Sequence, residues 1–139
     1  MSASILSIAR APAPDPAPVL FGPTADVSGR LHFWRGASGR RYVHSVYGLI
    51  ECPPLPRAIY VLVHRDAHGR RTALHIGCAE NDAPTLNLAR IRQRGAQLGA
   101  NEVHVHFRAE TYEQRALIAC DLRAGQFGGL AAEPLRASA

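Results

Sequence analysis

Short runs in which hydrophobic and polar residues alternate, or in which hydrophobic residues predominate, recur along the middle of the chain. Runs of this length and composition are typical of β-strands in a partly buried sheet. Five of them predict strands, at 31–34, 41–47, 58–63, 73–77 and 102–107. A glycine-containing turn joins the first two, and a polar turn at 66–69 joins the next two. The sequence therefore predicts two β-hairpins in succession.

In two other segments the hydrophobic residues are spaced as they are on one face of a helix. The cluster at 81–84, with a proline suited to a first helical turn, predicts a helix that runs to about Gln97 and ends at Gly99. Thr111 and Gln114 have the spacing of a capping box, which predicts a second helix through about Arg123. Hydrophobic residues at helical spacing predict the buried faces: Leu88, Ile91 and Leu98 in the first helix, and Leu117, Ile118 and Leu122 in the second.

The two ends of the chain differ in composition from its middle. Residues 1–24 are rich in alanine and proline, which disfavours helix and sheet alike and predicts a flexible arm. Residues 125–139 open on a glycine-rich stretch and predict a flexible tail. Residues 25–124 are then a single α+β domain, in which a small antiparallel sheet is flanked by two helices.

Composition and charge narrow the class of protein. The chain has 139 residues, of which 47% are hydrophobic and 19% charged, as expected for one ordinary globular domain. The net charge is +5, and all 16 basic residues are arginines, whose planar guanidinium suits phosphate. A mildly basic domain of this size is compatible with a nucleic-acid partner and equally with a protein partner.

Cysteine usage and hydropathy indicate the compartment. Three widely spaced cysteines without a CxxC motif argue against zinc-ribbon and thioredoxin-like proteins. They favour a reducing, cytoplasmic location. The first residues lack a signal-peptide pattern, and no hydrophobic run approaches the length of a membrane span, so we expect no membrane partner.

The register of the second hairpin can be predicted from its hydrophobic faces. A two-residue turn at 67–68 keeps hydrophobic residues on one side of the hairpin and places Tyr60 directly opposite His75. A three-residue turn ending at Gly69 would shift this pairing, and that alternative stays open. The predicted hydrophobic pairs are Ile59 with Ile76 and Val61 with Leu74.

This hairpin resembles the GIY-YIG nuclease family, which is named after two short motifs on adjacent antiparallel strands. Ile59-Tyr60 matches part of the first motif and Ile76-Gly77 the end of the second, while Ala58 replaces the first glycine. In that family the two motif tyrosines line the cleft, and one helps to deprotonate the attacking water. The resemblance therefore implies catalytic roles for Tyr60 and for His75, which stands in the place of the second tyrosine. An imidazole can carry out the same proton transfer.

The resemblance covers 58–123 and implies a GIY-YIG-like core with an extra N-terminal hairpin. The family places an arginine on the helix after the hairpin, where it contacts the scissile phosphate. Arg90, Arg92 and Arg94 lie on the matching helix, and Arg90 is the implied catalytic residue. Arg90 and Arg94 are one turn apart and share a side of the helix. Together with Arg70 and Arg71 these arginines could form a phosphate-binding surface, the alternative being a solvated helix face.

The chain departs from the family in its last helix, where the family carries a glutamate that holds a divalent metal ion. Ala119 occupies that position, and alanine cannot coordinate Mg²⁺, which requires oxygen ligands. Glu113 and Asp121 are the acidic residues of this helix, and helical geometry places neither of them at the position of the missing glutamate. Mg²⁺ is therefore an expected cofactor only if the protein cleaves.

Two other groups of residues have chemical potential. His104 and His106 project from the same side of a strand and could bind zinc, although their more ordinary role is a polar outer face. Cys78 could act as a nucleophile beside His75, although most single cysteines are simply packed.

Three functions from different classes remain. The first is a degenerate GIY-YIG-like domain that binds nucleic acid, or a protein, with little or no cleavage. The second is a metal-dependent endonuclease, and the third is an unrelated α+β interaction module. The missing carboxylate at Ala119 favours the first over the second.

Overall fold

The computed structural model describes residues 30–128, and the structural statements below concern these residues. The predicted arm at 1–24 lies outside the described residues, as do residues 129–139 of the predicted tail. No helix in the described part of the chain is both long and hydrophobic enough to cross a membrane. In chain order, the elements are β1 Leu31–Arg35, β2 Arg41–Gly48, β3 Ala58–Arg65, β4 Arg71–Ala79, α1 Pro84–Leu98, β5 Glu102–His106 and α2 Tyr112–Phe127.

The five strands form one antiparallel sheet in the order β1-β2-β5-β3-β4. The predicted order of two hairpins, a helix, a strand and a helix is confirmed, and so is the α+β class. Because β5 inserts between the two hairpins, β3 becomes an inner strand, while β1 and β4 are the edges. Successive side chains along β3 point to opposite faces of the sheet, so this strand contributes to the hydrophobic core on each face.

Each helix covers one face of the sheet, and we name the faces accordingly. On the α1 face, Leu88 and Ile91 of α1 belong to one core with Leu62 of β3 and with Val103 and Val105 of β5. On the α2 face, a second core joins helix and strand residues: Ala119 and Leu122 of α2 with Trp34, Ile59, Val61, Val63 and Ile76. The sheet is therefore hydrophobic on both sides through its centre.

The end of α1 and the start of α2 are those that the sequence predicts. Gly99 follows α1 with a left-handed backbone (φ 83°), which glycine adopts without strain, and its N–H bonds to the carbonyl of Gly95. The Thr111 hydroxyl accepts a hydrogen bond from the backbone N–H of Gln114, and the Gln114 side chain accepts one from Thr111. Both halves of the predicted capping box are present.

Three details of the helix prediction are wrong. Leu98 is 40% exposed and Leu117 is 72% exposed, so neither belongs to the buried face. The tail does not begin at residue 125, because α2 continues to Phe127. Gly125, which led us to expect a tail, instead marks a close approach to the β1–β2 hairpin. A Cβ atom added there would lie 2.6 Å from the backbone carbonyl oxygen of Arg35.

The predicted register of the second hairpin is wrong. The turn uses three residues between Asp66 and Arg70, with Gly69 left-handed at φ 87°. A bulge at Leu74 of β4, opposite the step from Leu62 to Val63, then shifts the ladder again and leaves Leu74 unpaired. The observed pairs include Ile59 with Cys78, Tyr60 with Gly77, Val61 with Ile76 and Leu62 with His75. The bulge also turns Leu74 toward the α1-face core, away from Ile59 and Val61.

His104 and His106 do not form a polar outer face. They are 0% and 5% exposed on the α2 face. His44 of β2 is fully buried beside them, with its ring centroid 5.4 Å from that of His106. The histidines and valines of β5 therefore alternate between two faces that are both buried, one polar and one hydrophobic.

Candidate functional site at the edge strand β4

Tyr60 and His75 are neighbours on the α1 face of the sheet, although they are not directly paired. Tyr60 lies opposite Gly77, and His75 lies opposite Leu62. The two rings are diagonal neighbours, with centroids 6.0 Å apart. Both side chains are half-buried next to the edge of the sheet, so solvent reaches them from the β4 side.

Gly77 determines where the Tyr60 ring lies. A Cβ atom added at Gly77 would be 2.6 Å from the Tyr60 hydroxyl oxygen and 3.1 Å from His75 Nε2. The phenol therefore crosses over the glycine and brings its hydroxyl toward the imidazole. Any larger residue at this position would displace the ring.

Two arginines from different helices act on this pair. Arg94 is on α1, and Arg123 is on α2, which covers the opposite face. Arg123 reaches the edge of β4, where its Nε donates to the outward carbonyl of Ile76 at 3.2 Å. The positive charges of both guanidinium groups lower the pKa values of Tyr60 and His75.

Burial keeps both Tyr60 and His75 uncharged at neutral pH, and the nearby positive charge adds to this effect at His75 only. Burial lowers the pKa of His75, and the Arg94 and Arg123 charges lower it further. Burial is also the main cause that raises the pKa of Tyr60; the nearby Cys78 thiol raises it too, and the two arginines partly oppose this. The site thus presents a neutral imidazole and a neutral phenol beside two fixed positive charges.

Arg90 is one turn before Arg94 and lines a depression of about 370 Å³ together with Tyr60. The floor of the depression comes from the end of β4 and the following turn, including Cys78 and Asn81. The structure thus brings Tyr60, His75, Arg90 and Arg94 together.

The other predicted arginines lie elsewhere. Arg92 donates to backbone carbonyls in the β2–β3 connection, at Leu49, Ile50 and Cys52. Arg71 is half-buried and pairs with Glu102, with Nε 2.9 Å from Oε1. Arg70 is exposed in the β3–β4 turn, seven residues or about 23 Å along the strand from Gly77. These three are not part of the cluster around Tyr60.

The metal-binding chemistry of the GIY-YIG family does not fit these residues. Ala119 is 1% exposed and packs with Ile59 and Val61, on the opposite face of the sheet from Tyr60. Asp121 accepts hydrogen bonds from the Ser38 backbone and hydroxyl and from the Tyr42 hydroxyl, which hold α2 to the β1–β2 turn. Among residues 30–128, no group of three or more His, Cys, Asp or Glu side chains is arranged to hold a metal ion.

The structure does not favour zinc binding by His104 and His106 or a nucleophilic role for Cys78. Both ring nitrogens of His104 already have partners, the Trp34 indole N–H at 2.9 Å and a Glu102 carboxylate oxygen at 2.9 Å. Burial raises the pKa of the Cys78 thiol, which disfavours the reactive thiolate. Cys78 also points to the α2-face core, whereas His75 lies on the α1 face.

Comparison of the chain with protein-family models, with curated proteins and with solved structures finds no match in any of the three. The GIY-YIG resemblance therefore rests on the short motifs alone and remains an expectation.

Sequence reasoning did not predict that Arg123 belongs to this site. It also did not predict that Gly77 positions the Tyr60 ring. Arg123 follows the fully buried Leu122, and nothing in the helix pattern shows that it reaches a strand edge. The signal for Gly77 was present, since glycine inside a strand often marks a close approach of another group. It required the correct register to be interpreted.

Proposed function

We propose that the domain binds the phosphate backbone of nucleic acid at the edge of β4, without efficient cleavage. The observation that carries this proposal is the meeting of arginines from two helices at this edge: Arg90, one turn before Arg94, lines the depression beside Tyr60, and Arg123 donates to the Ile76 carbonyl. Guanidinium groups held in place beside neutral hydrogen-bonding side chains suit a phosphate diester.

The local charge balance supports an anionic ligand. The charges that shift the pKa of His75 are arginines, and no carboxylate contributes. Glu80 lines the depression near Tyr60, but both of its oxygens bond to Arg115, at 2.6 and 2.8 Å. The positive charge of Arg90, Arg94 and Arg123 is therefore available to a ligand from solvent.

The arrangement supports binding more than hydrolysis. Tyr60 and His75 could position a phosphate and move a proton, but binding a ground state does not by itself accelerate its reaction. The position that resembles the metal ligand of the GIY-YIG family is Ala119, in the core of the other face. That position therefore offers no carboxylate to hold a cation, and it is the cation that would neutralise the negative charge developing on phosphate.

A matched pair of double variants tests the proposal. Arg94→Ala/Arg123→Ala removes the two converging charges, and Arg35→Ala/Arg70→Ala removes two exposed charges elsewhere, so the net charge is the same. Fluorescence anisotropy with a labelled eight-nucleotide oligomer should show at least tenfold weaker binding for the first variant only. Affinity of the unmodified protein should fall steeply with salt, because phosphate contacts release counterions.

Equal losses in the two double variants would contradict a localised phosphate site. Incubation of the same oligomer and of a plasmid with Mg²⁺ or Mn²⁺ is expected to give no nicking. Robust cleavage that Tyr60→Phe and His75→Ala both abolish would overturn the proposed lack of activity and favour the endonuclease instead.

A further inference from the structure

A second depression, of about 430 Å³, adjoins the one beside Tyr60. Asn81 lines both of them, so together they form one groove around the end of the sheet where β4 finishes. The walls of the second depression include Pro56, which precedes β3, and Pro84 at the start of α1. Both are rigid and hydrophobic.

The second depression contains an exposed aromatic ring. Phe107 directly follows the last residue of β5 and is 43% exposed, although most hydrophobic residues of β5 are fully buried. Val105 pairs with Tyr60, and Phe107 comes two residues later, about 7 Å further along the strand direction. A ligand anchored near Tyr60 thus needs to extend by only a short distance to reach this ring.

The charges around Phe107 differ from those around Tyr60. Arg57 and Asp82 form an ion pair with each other at its rim, and Glu110 is exposed beside it. Arg115 is neutralised by its two bonds to Glu80. The second depression therefore lacks the excess positive charge of the first, and suits an uncharged planar group joined to the phosphate.

We infer that Phe107 stacks against a base of single-stranded nucleic acid whose backbone lies along the β4 edge. This inference rests on the proposed function and specifies its substrate class. In a duplex both faces of each base are covered by neighbouring bases, whereas in a single strand a base can turn out onto an aromatic ring. A phosphate-binding edge next to an exposed aromatic ring is the combination that single-stranded recognition uses.

The test compares a single-stranded eight-nucleotide oligomer with an abasic oligomer of the same phosphate backbone and with a duplex. The unmodified protein should bind the base-bearing single strand roughly tenfold more tightly than the abasic strand, since stacking on one ring supplies about that factor. Phe107→Ala should remove this preference without changing affinity for the abasic strand, and Phe107→Trp should retain it. Tyr112→Ala is the matched control, because Tyr112 is an exposed aromatic residue outside the groove.

The outcomes separate this inference from the proposed function. Equal affinity for base-bearing and abasic strands, with both weakened by Arg94→Ala/Arg123→Ala, would refute base stacking and leave the phosphate site intact. Tighter binding of the duplex than of the single strand would also refute the inference. Absence of binding to every oligomer would overturn both proposals. Trp34 fluorescence, from a side chain buried on the other face, confirms that each variant is folded.

Discussion

Acid should destabilise this domain at pH values that most globular proteins tolerate, because two histidines are buried in the neutral form. His44 and His104 are both 0% exposed on the α2 face. Burial lowers the pKa of His44 to about 3. Burial also lowers the pKa of His104 to about 4, even though the Glu102 carboxylate opposes this.

The hydrogen bonds around the two imidazole rings explain why adding a proton to either neutral ring is unfavourable. The Trp34 indole is only a donor, so His104 Nδ1 must be the acceptor and Nε2–H must donate to Glu102. Protonation of His104 would place two donors face to face. His44 Nδ1 lies 2.8 Å from the Tyr42 carbonyl and donates to it, whereas Nε2 has no hydrogen-bond partner. A proton on Nε2 would therefore be buried without an acceptor.

The magnitude follows from the linkage between protonation and folding. In the unfolded chain both histidines have a pKa near 6.5, so at pH 5.0 the unfolded state binds two protons that the folded state does not. The contribution of these two histidines to the free energy of unfolding is fully present well above pH 6.5 and is lost as the pH falls below that value. Over 1.5 pH units each histidine costs about 2 kcal/mol, or about 4 kcal/mol together. Typical domain stabilities of about 5–15 kcal/mol make this a large fraction of the total.

Urea unfolding followed by the fluorescence of Trp34, the single tryptophan, measures this loss at pH 7.0, 6.0 and 5.0 and constant ionic strength. His44→Leu, which has a similar volume and cannot be protonated, should reduce the loss between pH 7.0 and pH 5.0 by about 2 kcal/mol. If the free energy of unfolding at pH 5.0 stays within about 1 kcal/mol of its value at pH 7.0, the reasoning from burial is refuted.

Three further variants test particular contacts. Gly77→Ala should displace the Tyr60 ring, cost about 1–3 kcal/mol in urea unfolding and weaken oligonucleotide binding; unchanged binding would show that the ring position is irrelevant to the site. Arg115→Met leaves the Glu80 carboxylate unpaired and should cost about 3–5 kcal/mol, with Glu80→Gln/Arg115→Met recovering part of it; a loss below about 1 kcal/mol would contradict a structural ion pair. Oligonucleotide binding should strengthen as the pH falls from 8 to 6, because a bound phosphate favours protonated His75, and His75→Asn should remove this dependence; an equal dependence in the variant would assign it to another group.

Local signals predicted the elements well, because they act within a few residues. The capping box at Thr111 and Gln114 and the left-handed Gly99 depend only on the backbone beside them, and both are where the sequence places them. Side-chain burial in the helices was harder to predict. Leu117 precedes Leu122 by five residues, which places the two side chains about 140° apart around the helix, so Leu117 faces solvent while Leu122 is buried.

The register of the second hairpin could not be predicted from hydrophobic alternation alone. Alternation gives which residues share a face only while the ladder is regular. The three-residue turn at Gly69 and the bulge at Leu74 each shift the pairing, and together they keep Tyr60 and His75 on one face while changing their partners. The predicted proximity thus survives for a reason different from the predicted one. Hydrophobic pairing placed His75 opposite Tyr60, whereas the bulge places it diagonally.

The histidines of β5 show a second limit of alternation. A pattern of histidine and valine resembles one polar and one hydrophobic face, which in a sheet covered on one side only would mean an exposed polar face. Here a helix covers each face, and β5 lies between β2 and β3. Strand order is a long-range property, so no window of sequence could show that His104 is enclosed by Trp34 and Glu102.

The location of the candidate site at a sheet edge explains both what sequence reasoning missed and why cleavage is hard to restore. At an edge, side chains from helices on opposite faces can meet, which is how Arg123 of α2 joins Arg94 of α1 beside His75. Residues of α2 that face the sheet, such as Ala119, cannot do so, because they pack into the α2-face core. Ala119→Glu would place a carboxylate among hydrophobic side chains rather than beside Tyr60, at a cost of several kcal/mol. A carboxylate that acts with Tyr60 would have to come from the edge, where Arg123 now stands, and it would replace one of the positive charges on which phosphate binding is proposed to depend.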